Sequence, residues 1–297
     1  VFFPSDDSVY TALHFPTFYT AAWGCGLPTY PPVLSRVVGG DDVRPHSWPW
    51  QISLESGRYG HWSHACGGTL ISSEWVITAA HCILYLFTFV RIFLSLIFHV
   101  LHRDKYSYRE EGALTISPAK IIKHYDYNSI NDIAMLKLDT PVTFTDTIKP
   151  ACLPEEGAVL PNGAPCYISG WGRLSTEGPG AIILQQALLP VVSYEICSQS
   201  DWWSFLLTRD MVVPEETTHL HFNFQGDSGG PLNCQNPDGS WAVHGVVSFG
   251  SGQGCNVVQK PTVFSKVSSY IDWINSVSRF IIFATISKTD QKKISST

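Results

Sequence analysis

Three residues with complementary chemistry stand out in this chain, each inside a distinctive local sequence. Ser228 lies in Gly226-Asp227-Ser228-Gly229-Gly230-Pro231, His81 in Thr78-Ala79-Ala80-His81-Cys82, and Asp132 in Asn131-Asp132-Ile133-Ala134-Met135-Leu136. A serine hydroxyl is a poor nucleophile until an imidazole takes its proton, and histidine titrates near neutral pH. A buried aspartate fixes the histidine tautomer and stabilises the imidazolium that forms. A serine between an acidic residue and paired glycines sits on a tight turn with its hydroxyl exposed. Backbone N–H groups beside it can then face a developing oxyanion. Each motif alone has a plain structural reading: a glycine-rich turn, a histidine beside a structural cysteine, a solvated turn aspartate. Their joint occurrence favours nucleophilic catalysis.

The elements needed to position them read as short strands. Trp50–Leu54, Gly68–Ile71, Trp75–Thr78, Ile133–Leu138, Pro165–Gly170, Leu184–Val192, Trp241–Ser248 and Thr262–Val267 are apolar or alternating runs separated by turn residues. Tyr270–Val277 has apolar residues at helical spacing and predicts a short C-terminal helix.

The 297 residues suffice for one large β domain or two halves, and 23 glycines, 19 prolines and 10 tryptophans suit an all-β protein rich in turns. A formal charge of −6 with sparse Lys and Arg argues against a nucleic-acid partner. Eight cysteines are spread without a C-x-x-C pair, the pattern of disulfides in an oxidising, extracellular setting and not of zinc or dithiol redox chemistry. His219 and His221 alternate like a metal pair but lack a third ligand, so no metal site is expected. Residues 1–24 read as a signal-like or mis-joined stretch, with Ala22-Trp23-Gly24 offering small residues just before Cys25. Residues 25–36 form a proline-rich tether ending in Arg36-Val37-Val38-Gly39-Gly40.

The stretches CGLPTYPPVLSRVVGG, RPHSWPWQISL, CGGTLISSEWVITAAHC, NDIAMLKL, CYISGWGRL, GDSGGPLNC, VHGVVSFGS and KPTVFSKVSSYIDWINSV occur in order. Together they resemble the chymotrypsin-like serine proteases, in the branch of the pancreatic elastases and chymotrypsin C. The resemblance implies two six-stranded antiparallel β-barrels with the active site between them, over residues 37–277. It implies His81 as general base, Asp132 as its orienting partner and Ser228 as nucleophile, with the Gly226 and Ser228 amides as oxyanion hole. It makes residues 25–36 a propeptide cut after Arg36 by trypsin, the freed Val37 amine pairing with Asp227. The pairs Cys25–Cys152, Cys66–Cys82 and Cys166–Cys234 are the disulfides it implies. The pocket would be lined by Ser248, Phe249, Gly250 and Thr262 with Gln225 at the rim, open to medium or large apolar side chains. Trp202 and Trp203 either shape that rim or simply pack. The implied molecule is a secreted, monomeric digestive endopeptidase acting on proteins and peptides, open to protease inhibitors, needing no cofactor.

Three segments depart from the pattern. Residues 83–101, nineteen residues with Arg91 the one charge, replace a polar loop and a strand; their length approaches a membrane span, but Arg91 at the centre and Cys82 before them argue against one. Replacement of the strand predicts an exposed apolar surface, and leaves Glu110 and Glu111 as candidates for the family's calcium loop. Residues 213–224 replace a glycine-rich stretch with two cysteines, so Cys197 and Cys255 lose their implied partners and Phe222 falls at the pocket base. Residues 278–297 form an unrelated tail. All three read as translated intron or mis-joined exon sequence. The alternative to an active protease is therefore an inactive homologue that acts, if at all, by binding.

Overall fold

The computed structural model describes residues 24–34, 41–58, 61–85, 90–94, 113–128, 130–173, 178–214, 226–251 and 257–279. The strands are β1 (Asp41–Asp42), β2 (Gln51–Arg58), β3 (His61–Leu70), β4 (Trp75–Thr78), β5 (Val90–Leu94), β6 (Leu114–Ile116), β7 (Pro118–Lys123), β8 (Ala134–Leu138), β9 (Pro165–Gly170), β10 (Gln185–Val192), β11 (Met211–Pro214), β12 (Pro231–Gln235), β13 (Trp241–Phe249) and β14 (Val263–Lys266). Helix α1 (Ala80–Tyr85) follows β4, α2 (Tyr194–Cys197) follows β10, and α3 spans 271–279.

Two antiparallel sheets divide these strands. The N-terminal sheet runs β6-β5-β2-β3-β4-β8-β7 and curls into a half-barrel, with β6 and β7 unpaired to each other among the described residues. In the C-terminal sheet the order β10-β11-β14-β13-β12-β9 closes, because β9 pairs back to β10 from Gln185↔Gly170 to Pro190↔Pro165. One closed six-stranded barrel and one curled seven-stranded sheet thus stand where two six-stranded barrels are expected.

Side chains alternate across each sheet, so a barrel strand needs apolar residues facing its interior. In the closed barrel Ile168, Ala187, Leu189, Val212, Leu232, Val247 and Phe264 meet in one buried cluster. In the half-barrel Trp50, Ile52, Leu54, Leu70, Trp75, Ile77, Ile92 and Met135 do so, and the cluster continues into Trp241 and Val243 of the other sheet. The disulfides are Cys25–Cys152, Cys66–Cys82 and Cys166–Cys234.

The departing segments are corrected in part. Residues 90–94, inside the apolar run, form β5, which pairs with β2 and β6 and buries Ile92 completely. The run thus supplies the strand its replacement was expected to remove. Val213 and Pro214 belong to β11 and pair with Val192 and Val191. The C-terminal helix begins one residue later than expected and runs past Val277, with Ser278 Oγ donating to the Ile274 carbonyl at 2.8 Å. No helix among the described residues is long and apolar enough to cross a membrane. Arg36, Val37, Glu110, Glu111, His219, His221, Phe222, Gln225 and Cys255 lie outside the described residues. Cys197 is buried and has no disulfide partner among the described residues, and burial pushes its thiol up to about 12.

Candidate active site

His81 sits in the first turn of α1, directly after β4, and Asp132 sits just before β8, the neighbour of β4 in the sheet. This adjacency brings residues 51 positions apart into contact: His81 Nδ1 donates to Asp132 Oδ2 at 2.6 Å, and the His81 backbone N–H donates to Oδ1 at 2.8 Å. The carboxylate thus holds both the ring and the peptide of the same histidine, which fixes its orientation and places the Nδ1 proton toward the acid. The Asp132 side chain is 5% exposed and that of His81 22%, so the acid is shielded while the ring edge reaches the cleft.

The other sheet reaches across to the same aspartate. Ser248 Oγ at the end of β13 donates to Asp132 Oδ2 at 2.6 Å, and Ser265 Oγ on β14 donates to the Asp132 carbonyl at 2.9 Å. Ser248, read from sequence as pocket wall, therefore spends its hydroxyl on the carboxylate.

Ser228 lies in the turn 226–229 that leads into β12. That turn is pinned to both sheets: the Ser228 carbonyl accepts from Gly67 N–H at 2.8 Å, and Gly229 N–H donates to the Val247 carbonyl at 2.9 Å. Gly226 has φ +108°, a conformation side chains disfavour, which is why glycine stands there. His64 holds its carbonyl: Nε2 donates to Gly226 O at 2.6 Å while Nδ1 accepts from Ser53 Oγ at 2.7 Å. A carbonyl can only accept, so Nε2 carries the proton. No hydrogen bond among the described residues uses the Gly226 or Ser228 N–H. Nor does one join Ser228 Oγ to His81 among them, a bond that commonly tightens only when substrate is bound.

Asp227 is completely buried beneath the turn. Its Oδ1 accepts from Gly172 N–H at 2.8 Å, while Oδ2 has no partner among the described residues. Burial pushes this carboxyl up to about 7, the Gly172 hydrogen bond opposing the shift. An uncompensated buried carboxylate is costly and calls for a cation.

Beside Ser248, Phe249 and Gly250 are half-buried and Thr262 is fully buried. Trp203 packs edge-on to Phe249 with ring centroids 5.3 Å apart, and its Nε1 donates to the Pro261 carbonyl at 2.9 Å. It therefore packs behind Phe249. Cys66, His81 and Cys82 cluster closely enough for a metal, but both sulfurs are consumed by the Cys66–Cys82 disulfide.

Sequence reasoning passed over Ser53, His64 and Ser265. Ser53 and Ser265 lie inside stretches quoted above, whereas His64 stands two residues ahead of the one that begins at Cys66.

The model of the trypsin family matches residues 37–274 of the chain. The chain belongs to the trypsin family. Chymotrypsin-C of Bos taurus is 50% identical over 266 residues, covering 88% of this chain and 96% of that protein. Proproteinase E of Bos taurus is 48% identical over 246 residues, with 81% and 94% covered, and chymotrypsin-like elastase family member 3B of Macaca mulatta is 45% identical over 261, with 85% and 97% covered. This trypsin-family chain is a serine endopeptidase of the chymotrypsin-like pancreatic branch, and the chemistry of that family needs no cofactor.

Proposed function

We propose that this chain is a secreted digestive endopeptidase, made as a zymogen, that cleaves after medium or large apolar residues through an acyl-enzyme. The observation that carries the reading is the hold of Asp132 on both the ring and the peptide of His81. His81 takes the proton of Ser228 as the hydroxyl attacks the scissile carbonyl. The tetrahedral oxyanion receives the Gly226 and Ser228 amides, and His81 then returns the proton to the leaving amine. Water hydrolyses the acyl-enzyme by the same steps.

Cleavage after Arg36 by trypsin frees the Val37 amine, and the unpartnered, buried Oδ2 of Asp227 supports a cation being received there. That ion pair would fix the turn carrying Gly226 and Ser228. Gly250 leaves the pocket entrance open, and Thr262 with Phe249 supports an apolar specificity; Gln225 at the rim completes the set. Three disulfides support an oxidising, extracellular location.

The test is fluorophosphonate labelling of the full chain after trypsin treatment, with Ser228→Ala as control. Labelling that is lost in the control is the expected result. No labelling despite confirmed cleavage after Arg36 sinks the reading and leaves an inactive homologue.

A further inference from the structure

The Asp132 peptide sits in an unusually tight stretch of backbone. Asp132 N–H donates to the Ile130 carbonyl and Ile133 N–H to the Asn131 carbonyl, both at 2.9 Å, two successive three-residue turns centred on Asn131 and Asp132. The Asp132 carboxylate is held directly by His81 and Ser248, and the backbone that carries it is gripped from outside as well.

One grip comes from a residue far along the sequence. Tyr270, at the foot of α3, is buried, and its hydroxyl donates to Asn131 Oδ1 at 3.0 Å across 139 residues. Asn131 Nδ2 in turn donates to the Asp126 carbonyl at 3.1 Å, tying both ends of the 126–131 loop to one point. The Tyr270 ring is itself seated: His124 meets it edge-on at 5.4 Å, stacks on Tyr125 at 4.4 Å and contacts Trp273 of α3 at 5.1 Å. Burial, with Asp210 and Asp132 nearby, holds the Tyr270 phenol well above its usual range, so it remains a donor at any working pH.

We infer that Tyr270 is a positioning residue for His81 and Asp132: through Asn131, the C-terminal helix sets where the Asp132 carboxylate stands relative to the nucleophile-bearing barrel. This rests on the acyl-enzyme reading above. Ser265 grips the carbonyl of Asp132, whereas Tyr270 grips the preceding side chain, so the tight turns are held at two successive residues.

The test compares Tyr270→Phe, Asn131→Ala, the double variant and, as a helix control, Ser276→Ala, all in the trypsin-cut full chain. Tyr270→Phe keeps the ring packing and removes only the hydroxyl. The expected result is a fall in kcat of about tenfold with KM within about twofold, the size of one lost hydrogen bond expressed in the transition state. The double variant should be no slower than Asn131→Ala alone, and Ser276→Ala should match the parent. A second readout needs no turnover: in the Ser228→Ala background, the low-field proton of the His81–Asp132 hydrogen bond should broaden or shift on Tyr270→Phe. An unchanged resonance with unchanged kcat overturns the proposal, as does a loss of thermal stability with kcat per labelled site intact. If the parent chain fails to label, the function proposed above fails, while the resonance still reports on positioning.

Discussion

Gly170 and Asp227 are packed so closely that a Cβ on Gly170 would overlap the Asp227 carboxylate. The carboxylate occupies the space a side chain on β9 would need, and backbone on that side cannot retreat because Gly170 pairs with Gln185 of β10. Gly170→Ala should therefore expel Asp227 from its seat. We expect the variant to fold, to be cut after Arg36, and to label with fluorophosphonate at least about tenfold more slowly, by the one-donor cost of a displaced oxyanion turn. Labelling at the parent rate would disprove the coupling.

The same carboxyl gives the uncut chain a pH dependence. Its value is raised from 3.8 to about 7, so the folded chain holds an extra proton between those limits. Stability then falls as pH rises through that window, by on the order of 4 kcal/mol at most. His244, lowered by burial to about 4, titrates with the opposite sign, but equally in cut and uncut chains. Urea midpoints from pH 4 to 7 should show the difference, cut minus uncut, growing with pH; a flat difference rules out an ion pair at Asp227.

Ser248→Ala removes a donor from Asp132 Oδ2 without touching the ring pair. A charge-assisted hydrogen bond is worth about 1.5–3 kcal/mol, so kcat should fall roughly 10- to 100-fold with a small change in KM. A rise in KM alone, measured on a peptide with an apolar residue before the scissile bond, would mean that Ser248 serves the pocket and not the aspartate.

Buried thiols react slowly because the thiolate is the nucleophile. Cys197, raised by burial to about 12, should resist iodoacetamide at pH 8 in the native chain and react fully in urea. Peptide mapping resolves it from other cysteines, and native labelling at Cys197 would show that the α2 region opens.

Removing the Cys66–Cys82 disulfide by paired alanines should lower stability by ~3 kcal/mol, the chain-entropy value for a short loop. Its partners are 16 residues apart, and the loop includes the strand leading to His81. A urea midpoint unchanged within error would contradict that value.

What could be read in the sequence was local. The motif around Ser228, the cysteine beside His81 and the apolar run after Asp132 each identify a residue from its immediate neighbours. The grips on the site are not local: Ser265 reaches Asp132 across 133 residues, His64 reaches Gly226 across 162, and Ser248 reaches Asp132 across 116. Only the barrel topology makes those pairs neighbours. Strand β9 was legible because its apolar run is short and bounded by turn residues. Strand β5 was not, because Val90–Leu94 sits in a long apolar run in which Arg91 is the one charge, with no period-2 contrast to mark it. Strand β12 was hidden for another reason: it begins at Pro231, inside the motif already assigned to a turn.

Residues 24–34 are held to the body at several points. Cys25 is bonded to Cys152, Gly26 exchanges backbone hydrogen bonds with Pro150 and Trp241, Lys149 Nζ donates to Thr29 Oγ1, and Gln186 Nε2 donates to the Val33 carbonyl. A cut after Arg36 consequently releases no fragment. The molecule gains one water, one new amine and one new carboxylate, keeps every atom it had, and migrates as a single species until a reductant parts it in two.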